Sequence, residues 1–303
     1  MGNVKLSVVV CTYNRSDLLR YCLQSLTEQT LNHAFYEVLI VDNNSTDATQ
    51  DIASEFAARH PNFRVIVETT LGLSYARNRG WKEARGRYVA YIDDDAKAYP
   101  DWCERIVQGF EQHGEHTVAV GGQYIPWYEI TPPKWFANEF ETITFGDEAG
   151  FRSTPDARFG FGGANMAFRK DILEEYGGFH ADYGMSGNKL KLGEETELFI
   201  RIYKDHPYFW YDPELRISHW VPKWKMKIAY RIRRSFKSGV TTAIILYGKE
   251  DRFFSKRNAR RLYKALKYSF KVPGLLLKSR NTQQLVRSLQ EISYIYGYTI
   301  GNM

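Results

Sequence analysis

The first 125 residues alternate between continuous apolar runs of strand length and stretches whose apolar positions recur at helical spacing. LSVVVCTY reads as a strand buried on both faces, and RSDLLRYCLQSLTEQ then places Leu18, Leu19, Cys22, Leu23 and Leu26 on one helical face. EVLIVD predicts a second strand, followed by a capped helix start at NNSTDATQ and an amphipathic helix. FRVIVE and RYVAYI predict the third and fourth strands, with SYARNRGWKEA and YPDWCERIVQGFEQH as the helices after them, and TVAVGGQY predicts a fifth strand. Such alternation implies a mostly parallel α/β sheet flanked by helices through right-handed crossovers. From about 125 to 190 the pattern is irregular, which implies loops and short strands around a cleft. GEETELFIRIYKDH then reads as a short helix, YFWYD and LRISHW as short strands, and basic amphipathic helices follow from about Trp224.

The formal charge of +6 hides an asymmetry. Residues 222–303 carry 19 Lys and Arg against 3 acids, which leaves 22 against 32 of the totals of 41 and 35 in the chain before them. The segments KWKMKIAYRIRRSFKSG and SKRNARRLYKALKYSFKVPGLLLKS interleave aromatic residues with these cations. Helices of this kind lie on anionic lipid, bind nucleic acid, or solvate a helical cap or oligomer face. The expectation is peripheral contact with an anionic membrane surface through 223–303, and no nucleic acid. An aromatic content of 15% suggests either surfaces that stack on sugar rings or an aromatic core. The cysteines, Cys11, Cys22 and Cys103, are three in number with no CxxC pair, and the N-terminal apolar run is too short for a signal peptide or a spanning helix. A cytoplasmic protein is expected.

The polar residues cluster at strand ends. Thr12 to Arg15 follow the first strand, Asp42 to Ser45 the second, and Asp93, Asp94 and Asp95 the fourth. In open sheets, ligands collect at the carboxyl ends of parallel strands. Three adjacent carboxylates repel one another, and they persist together where solvent or a cation compensates them. An Asp-x-Asp spacing there suits a hard divalent cation that takes its remaining ligands from water and substrate phosphates.

SVVVCTYNR, LIVDNNSTD, GLSYARNRG, YIDDDA and GEETELFIR occur in that order over residues 5 to 220, and as an ordered set they resemble the family 2 inverting glycosyltransferases of GT-A fold. The resemblance implies a nucleotide-binding half over 1–125, an acceptor and catalytic half over 126–222, and a basic helical extension over 223–303. It implies a nucleotide-diphosphate sugar donor, most often a UDP-sugar, with Mn2+ or Mg2+, and a saccharide or lipid-linked acceptor in polysaccharide or glycoconjugate synthesis. Thr12, Tyr13, Arg15 and Asp42 would meet the nucleoside. Asn43 stands where many relatives carry a second Asp. Arg77 and Asn78 would reach ribose or diphosphate, while Arg79 points outward. Asp95 would ligate the metal, with Asp93 nearer the ribose, Asp94 between them and His219 as a third ligand.

An inverting transfer also needs a carboxylate to take the acceptor's proton. The family pattern places it at Glu195, with Glu194 as the alternative and Glu197 a structural acid. FGFGGANMAFRK resembles the segment that lines the acceptor, where Gly162 and Gly163 would let backbone approach a sugar and Asn165 would bond a hydroxyl. Trp127, Trp135 and Phe136 offer flat faces to acceptor rings or to a core. Three other classes compete. A sugar nucleotidyltransferase would need an N-terminal glycine-rich phosphate loop with a basic residue, which is absent. A phosphatase with a DxD nucleophile would carry it after the first strand. A carbohydrate or nucleic-acid binding module would not need Glu195.

Overall fold

The structure is a computed structural model that describes residues 4–152, 160–184, 193–247 and 282–300. The chain forms two compact units: 4–127, 141–152, 160–184 and 194–220 make the first, and 128–140, 193, 221–247 and 282–300 the second.

In the first unit the strands β1 (Leu6–Thr12), β2 (Tyr36–Asp42), β3 (Phe63–Val67) and β4 (Tyr88–Asp93) run parallel in the order β3-β2-β1-β4. Between them lie the helices α1 (Ser16–Thr27), α2 (Thr49–Arg59) and α3 (Leu73–Glu83). The alternation of strand side chains explains both layers of the core. Val8 and Val10 pack on one face with Leu19, Leu23 and Leu26 of α1, Phe56 of α2, and Trp102 and Ile106 of α4 (Trp102–Glu111). Val9 faces the other way, into a cluster with Ala76 and Trp81 of α3, Ile172 and Leu173 of α5 (Lys170–Tyr176), and Leu198 and Phe199 of α6 (Glu194–Tyr203).

Beyond β4 the sheet turns antiparallel. β5 (Ala96–Ala98), β6 (Ala119–Tyr128), β7 (Gly150–Arg152), β8 (Met166–Arg169) and β9 (Phe209–Val221) complete nine strands, with β8 inserted between β4 and β6. The expected run of parallel strands therefore ends at β4. The predicted fifth strand is β6, and it reaches the sheet through an antiparallel neighbour. The aromatic residues are largely core: Trp102, Tyr36, Tyr91, Tyr211, Phe168, Phe199 and Phe209 are all fully buried.

The second unit is built on α7 (Ile228–Tyr247) and a final helix, α8 (Thr282–Ile300). A Cβ on Gly239 would stand 2.1 Å from the Tyr294 carbonyl oxygen, and one on Gly297 1.9 Å from that of Phe236, so the two helix backbones touch where glycine allows it. No described helix is long and apolar enough to cross a membrane. The basic stretch 255–279 lies outside the described residues.

Candidate functional site

Parallel register brings the strand ends together, with Thr12 beside Asp42 and Cys11 beside Asp93. The loops after β1 and β2 brace each other. Asn14 N–H donates to the Ser45 hydroxyl at 3.0 Å, Thr46 N–H to the Asn14 side chain at 2.7 Å, and Ser16 N–H to Asp47 at 3.3 Å. This leaves Tyr13 42% exposed at the rim, while Thr12 and Asp42 are buried. One Asp42 oxygen accepts the Ser45 N–H at 3.1 Å.

Asn43 has a role that spacing alone does not reveal. Its amide donates to the Glu68 and Thr70 carbonyls at 2.9 and 2.8 Å, and its oxygen accepts the Gly72 N–H at 2.8 Å. The residue ties the end of β2 to the loop that launches α3. A carboxylate could not donate there, so Asn43→Asp is expected to cost about 1–3 kcal/mol of stability by urea unfolding.

The acidic corner divides by direction. Asp93, Asp95 and His219 each offer a ligand atom, all within 4.8 Å of one another. His219 Nε2 lies 3.4 Å from Asp95 and 3.9 Å from Asp93. Pairing of β5 with β9 puts Ala96 opposite His219 and so delivers the imidazole to the cluster, where its ring stacks on Tyr124 at 5.4 Å. Asp94 turns away toward Arg15, 3.7 Å from its Nε. Burial and the neighbouring Asp95 push the Asp94 carboxyl up to about 8, against the pull of Arg15. The cluster's two carboxylates and one imidazole suit Mn2+ better than Mg2+, which prefers oxygen throughout, and the partly exposed Asp93 leaves an open side for other ligands.

Arg77 and Glu194 are joined across the fold. Arg77 is 3% exposed, donates to Glu194 at 2.5 Å and to the Gly163 carbonyl at 3.3 Å, and lies 3.5 Å from Asp93. A Cβ on Gly163 would stand 2.5 Å from its Nη2, and one on Gly162 2.4 Å from the Tyr124 hydroxyl. The close approach expected at these glycines is therefore made by the protein's own side chains. Arg77→Met would strand buried carboxylate charge and is expected to cost about 3–5 kcal/mol in the same unfolding measurement.

Glu194 is buried in this ion pair, which leaves Glu195 as the half-exposed acid at the start of α6. Burial and the adjacent Glu194 raise the Glu195 carboxyl to about 8, against the pull of Arg77. Glu197 pairs with Arg201 at 2.8 Å, and Arg79 pairs outward with Glu83 at 2.9 Å.

Two expected ligand contacts, those of Asn165 and Asn78, are corrected. The Asn165 amide donates to the Gln123 and Leu215 carbonyls at 3.1 and 2.8 Å and accepts the Trp102 indole N–H at 2.8 Å, all inside the core, so it cannot meet an acceptor hydroxyl. Asn78 holds the Phe179 backbone by both its N–H and its carbonyl and accepts from Trp81, and it is a strut between α3 and that segment. Trp127 stands edge-on to Tyr21 and Trp220, with Lys97 Nζ 3.6 Å from its ring centroid. Trp135 belongs to the second unit, where it packs with Phe136, Phe140 and Met226.

Residues 7–177 match the sequence signature described as Glycosyl transferase family 2, and that span exceeds half of the chain. The chain belongs to glycosyl transferase family 2. This family 2 glycosyltransferase is 32% identical over 254 residues to the glucosyl-dolichyl phosphate glucuronosyltransferase of Haloferax volcanii, covering 80% of the chain and 77% of that protein. Its fold is that of the GT-A glycosyltransferases. It superposes on the mannosyltransferase PcManGT of Pyrobaculum calidifontis, solved with GDP-Man and Mn2+, with a TM-score of 0.66 and 21% identity over 98% of this chain and 86% of that one. It also superposes on residues 1–349 of S. aureus TarS, solved with UDP-GlcNAc, with a TM-score of 0.58 and 17% identity over 99% and 90% of the two chains.

Proposed function

We propose that this glycosyltransferase moves a sugar from a nucleotide-diphosphate donor, a UDP-sugar in preference, to a glycan or lipid-linked acceptor, with inversion and with Mn2+ or Mg2+ held by Asp95, Asp93 and His219. One observation carries the reading: a single buried guanidinium, Arg77, touches both Asp93 of the metal-ligating cluster and Glu194, the neighbour of Glu195. This ion-pair bridge from the acidic corner to the start of α6, where Glu195 follows Glu194, supports pairing a base with a cation site.

Asp95, Asp93 and His219 would hold a cation there, and when bound it would supply positive charge to the diphosphate and to the leaving nucleotide. Glu195 takes the acceptor hydroxyl's proton as that oxygen bonds the anomeric carbon. The bond from the anomeric carbon to the diphosphate oxygen breaks with its electron pair on the diphosphate. A single displacement of this kind needs no protein nucleophile, and the cysteines are not placed as one: Cys22 and Cys103 are buried, and burial pushes the Cys11 thiol up to about 12. Tyr13 and Arg15 flank the nucleoside from the rim, and Asp42 faces its base. The lipid-linked acceptor is supported by the dolichyl phosphate substrate named for the Haloferax relative. The two solved neighbours carry guanosine and uridine donors, so base preference is tested directly. Thermal shifts with UDP and GDP, each with Mn2+, Mg2+ or EDTA, should show metal-dependent stabilisation that is larger for UDP. Equal stabilisation in EDTA would oppose the reading.

The raised Glu195 carboxyl sets the pH dependence. A base works only when deprotonated, so kcat/KM should climb with unit slope from pH 6 and level off near 8, the value to which this carboxyl is raised. A rate that is flat from pH 6 to 9 would remove Glu195 from that role.

A further inference from the structure

The second unit carries a surface that the proposed reaction does not use. A 3-10 turn, Lys223–Met226, sends Met226 inward against Phe136 and Val221. Trp224 next to it stays 46% exposed, and Ile228, which opens α7, is 36% exposed. The segment bearing Ile130, itself 48% exposed, is fastened alongside. Glu129 N–H donates to the Val221 carbonyl at 3.1 Å, and Lys223 N–H to the Glu129 carboxylate at 2.7 Å. Lys223, Lys225 and Lys227 alternate with Trp224 and Met226 and lead into Ile228, and Lys223 and Lys227 make no ion pair among the described residues.

Three large apolar side chains left in water on two segments that hydrogen bonds fasten together mark an interaction surface. The cations around them select its partner. A second copy of the chain would set like charge against like charge. A nucleic acid would use the cations and leave the aliphatic Ile130 and Ile228 in water. A lipid headgroup layer uses both, since Trp sits at the interface, aliphatic tips enter the acyl boundary, and Lys stems lie along apolar surface with the ammonium at the phosphates.

We propose that Trp224, Ile228 and Ile130, flanked by Lys223, Lys225 and Lys227, form a docking surface for an anionic bilayer. This surface is independent of donor chemistry, so it stands or falls apart from the proposed reaction.

The test is co-sedimentation of the full chain with phosphatidylcholine vesicles, with and without 30 mol% phosphatidylglycerol, at ~0.1 M salt without metal or nucleotide. Binding is expected only to the anionic vesicles. The triple variant Lys223→Ala/Lys225→Ala/Lys227→Ala should lose about 100-fold in partition coefficient. Trp224→Ala/Ile228→Ala should lose about tenfold, with both variants unfolding at the wild-type temperature. Four results would overturn the proposal: no binding by the wild type, equal binding to neutral vesicles, wild-type partition by both variants, or self-association without lipid that Trp224→Ala abolishes.

Discussion

Asp95→Asn is expected to lower sugar transfer by about 10³-fold or more and to abolish the gain in nucleotide affinity that Mn2+ confers on the wild type. Asp95 is the carboxylate closest to His219 and, at 13% side-chain exposure, the more enclosed of the cluster's two carboxylates. An amide keeps the shape and removes the charge. A cation held by one remaining carboxylate and an imidazole would be bound too weakly to neutralise a diphosphate. The loss should appear in nucleotide binding as well as in turnover, because Asp95 would help hold a cation that supplies positive charge to the diphosphate on binding, before any bond changes. Calorimetry with UDP, with and without Mn2+, reads the first, and product formation reads the second.

Glu195→Gln should separate the two measurements. Transfer is expected to fall about 10²–10⁴-fold, the usual worth of a positioned base, while metal-dependent donor affinity stays within about threefold of wild type. The same substitution should stabilise the fold. In the wild type the Glu195 carboxyl is raised in the folded state, so its contribution to stability is present below the ordinary carboxylate range and is lost as pH rises toward 8. Gln mimics the neutral acid at every pH. The variant's melting temperature should therefore exceed the wild type's by a few degrees near pH 8, with the difference closing toward pH 5. A variant that loses transfer, keeps donor binding and melts higher at alkaline pH fits a partly buried base, and one that loses transfer and donor binding and melts no higher fits a structural acid.

The parts of this architecture legible in the sequence are those written in local pattern. β1, β2 and β4 are buried on both faces, so each reads as an unbroken apolar run, and α1 shows its core face at helical spacing. The crowding of Asp93, Asp94 and Asp95 stands out because like charges rarely gather without compensation. β8 is four residues long and pairs with β4 from Tyr88↔Arg169 to Tyr91↔Met166, nearly eighty residues apart, and no periodicity announces it.

The missed roles share that cause. Asn165 and Asn78 look like ligand-binding amides until their partners, 50 and 101 residues away, are known to use them up. Arg77 looked like a phosphate contact, and its strongest bond reaches Glu194, 117 residues on. In each case a polar residue beside a glycine or at a helix start carried two readings, and only the long-range partner separates them. Asn43, at the end of β2, is like the others, and the need for an amide there shows only in its partners. Its carbonyl partners at Glu68 and Thr70 supply the reason.

The whole account turns on where a divalent ion sits. Crystals soaked with Mn2+ and UDP, measured at the manganese edge, should give one strong anomalous peak in ligating contact with Asp95, Asp93 and His219 and in contact with the diphosphate. A peak elsewhere, or bound nucleotide with no manganese at the end of β4, would contradict it.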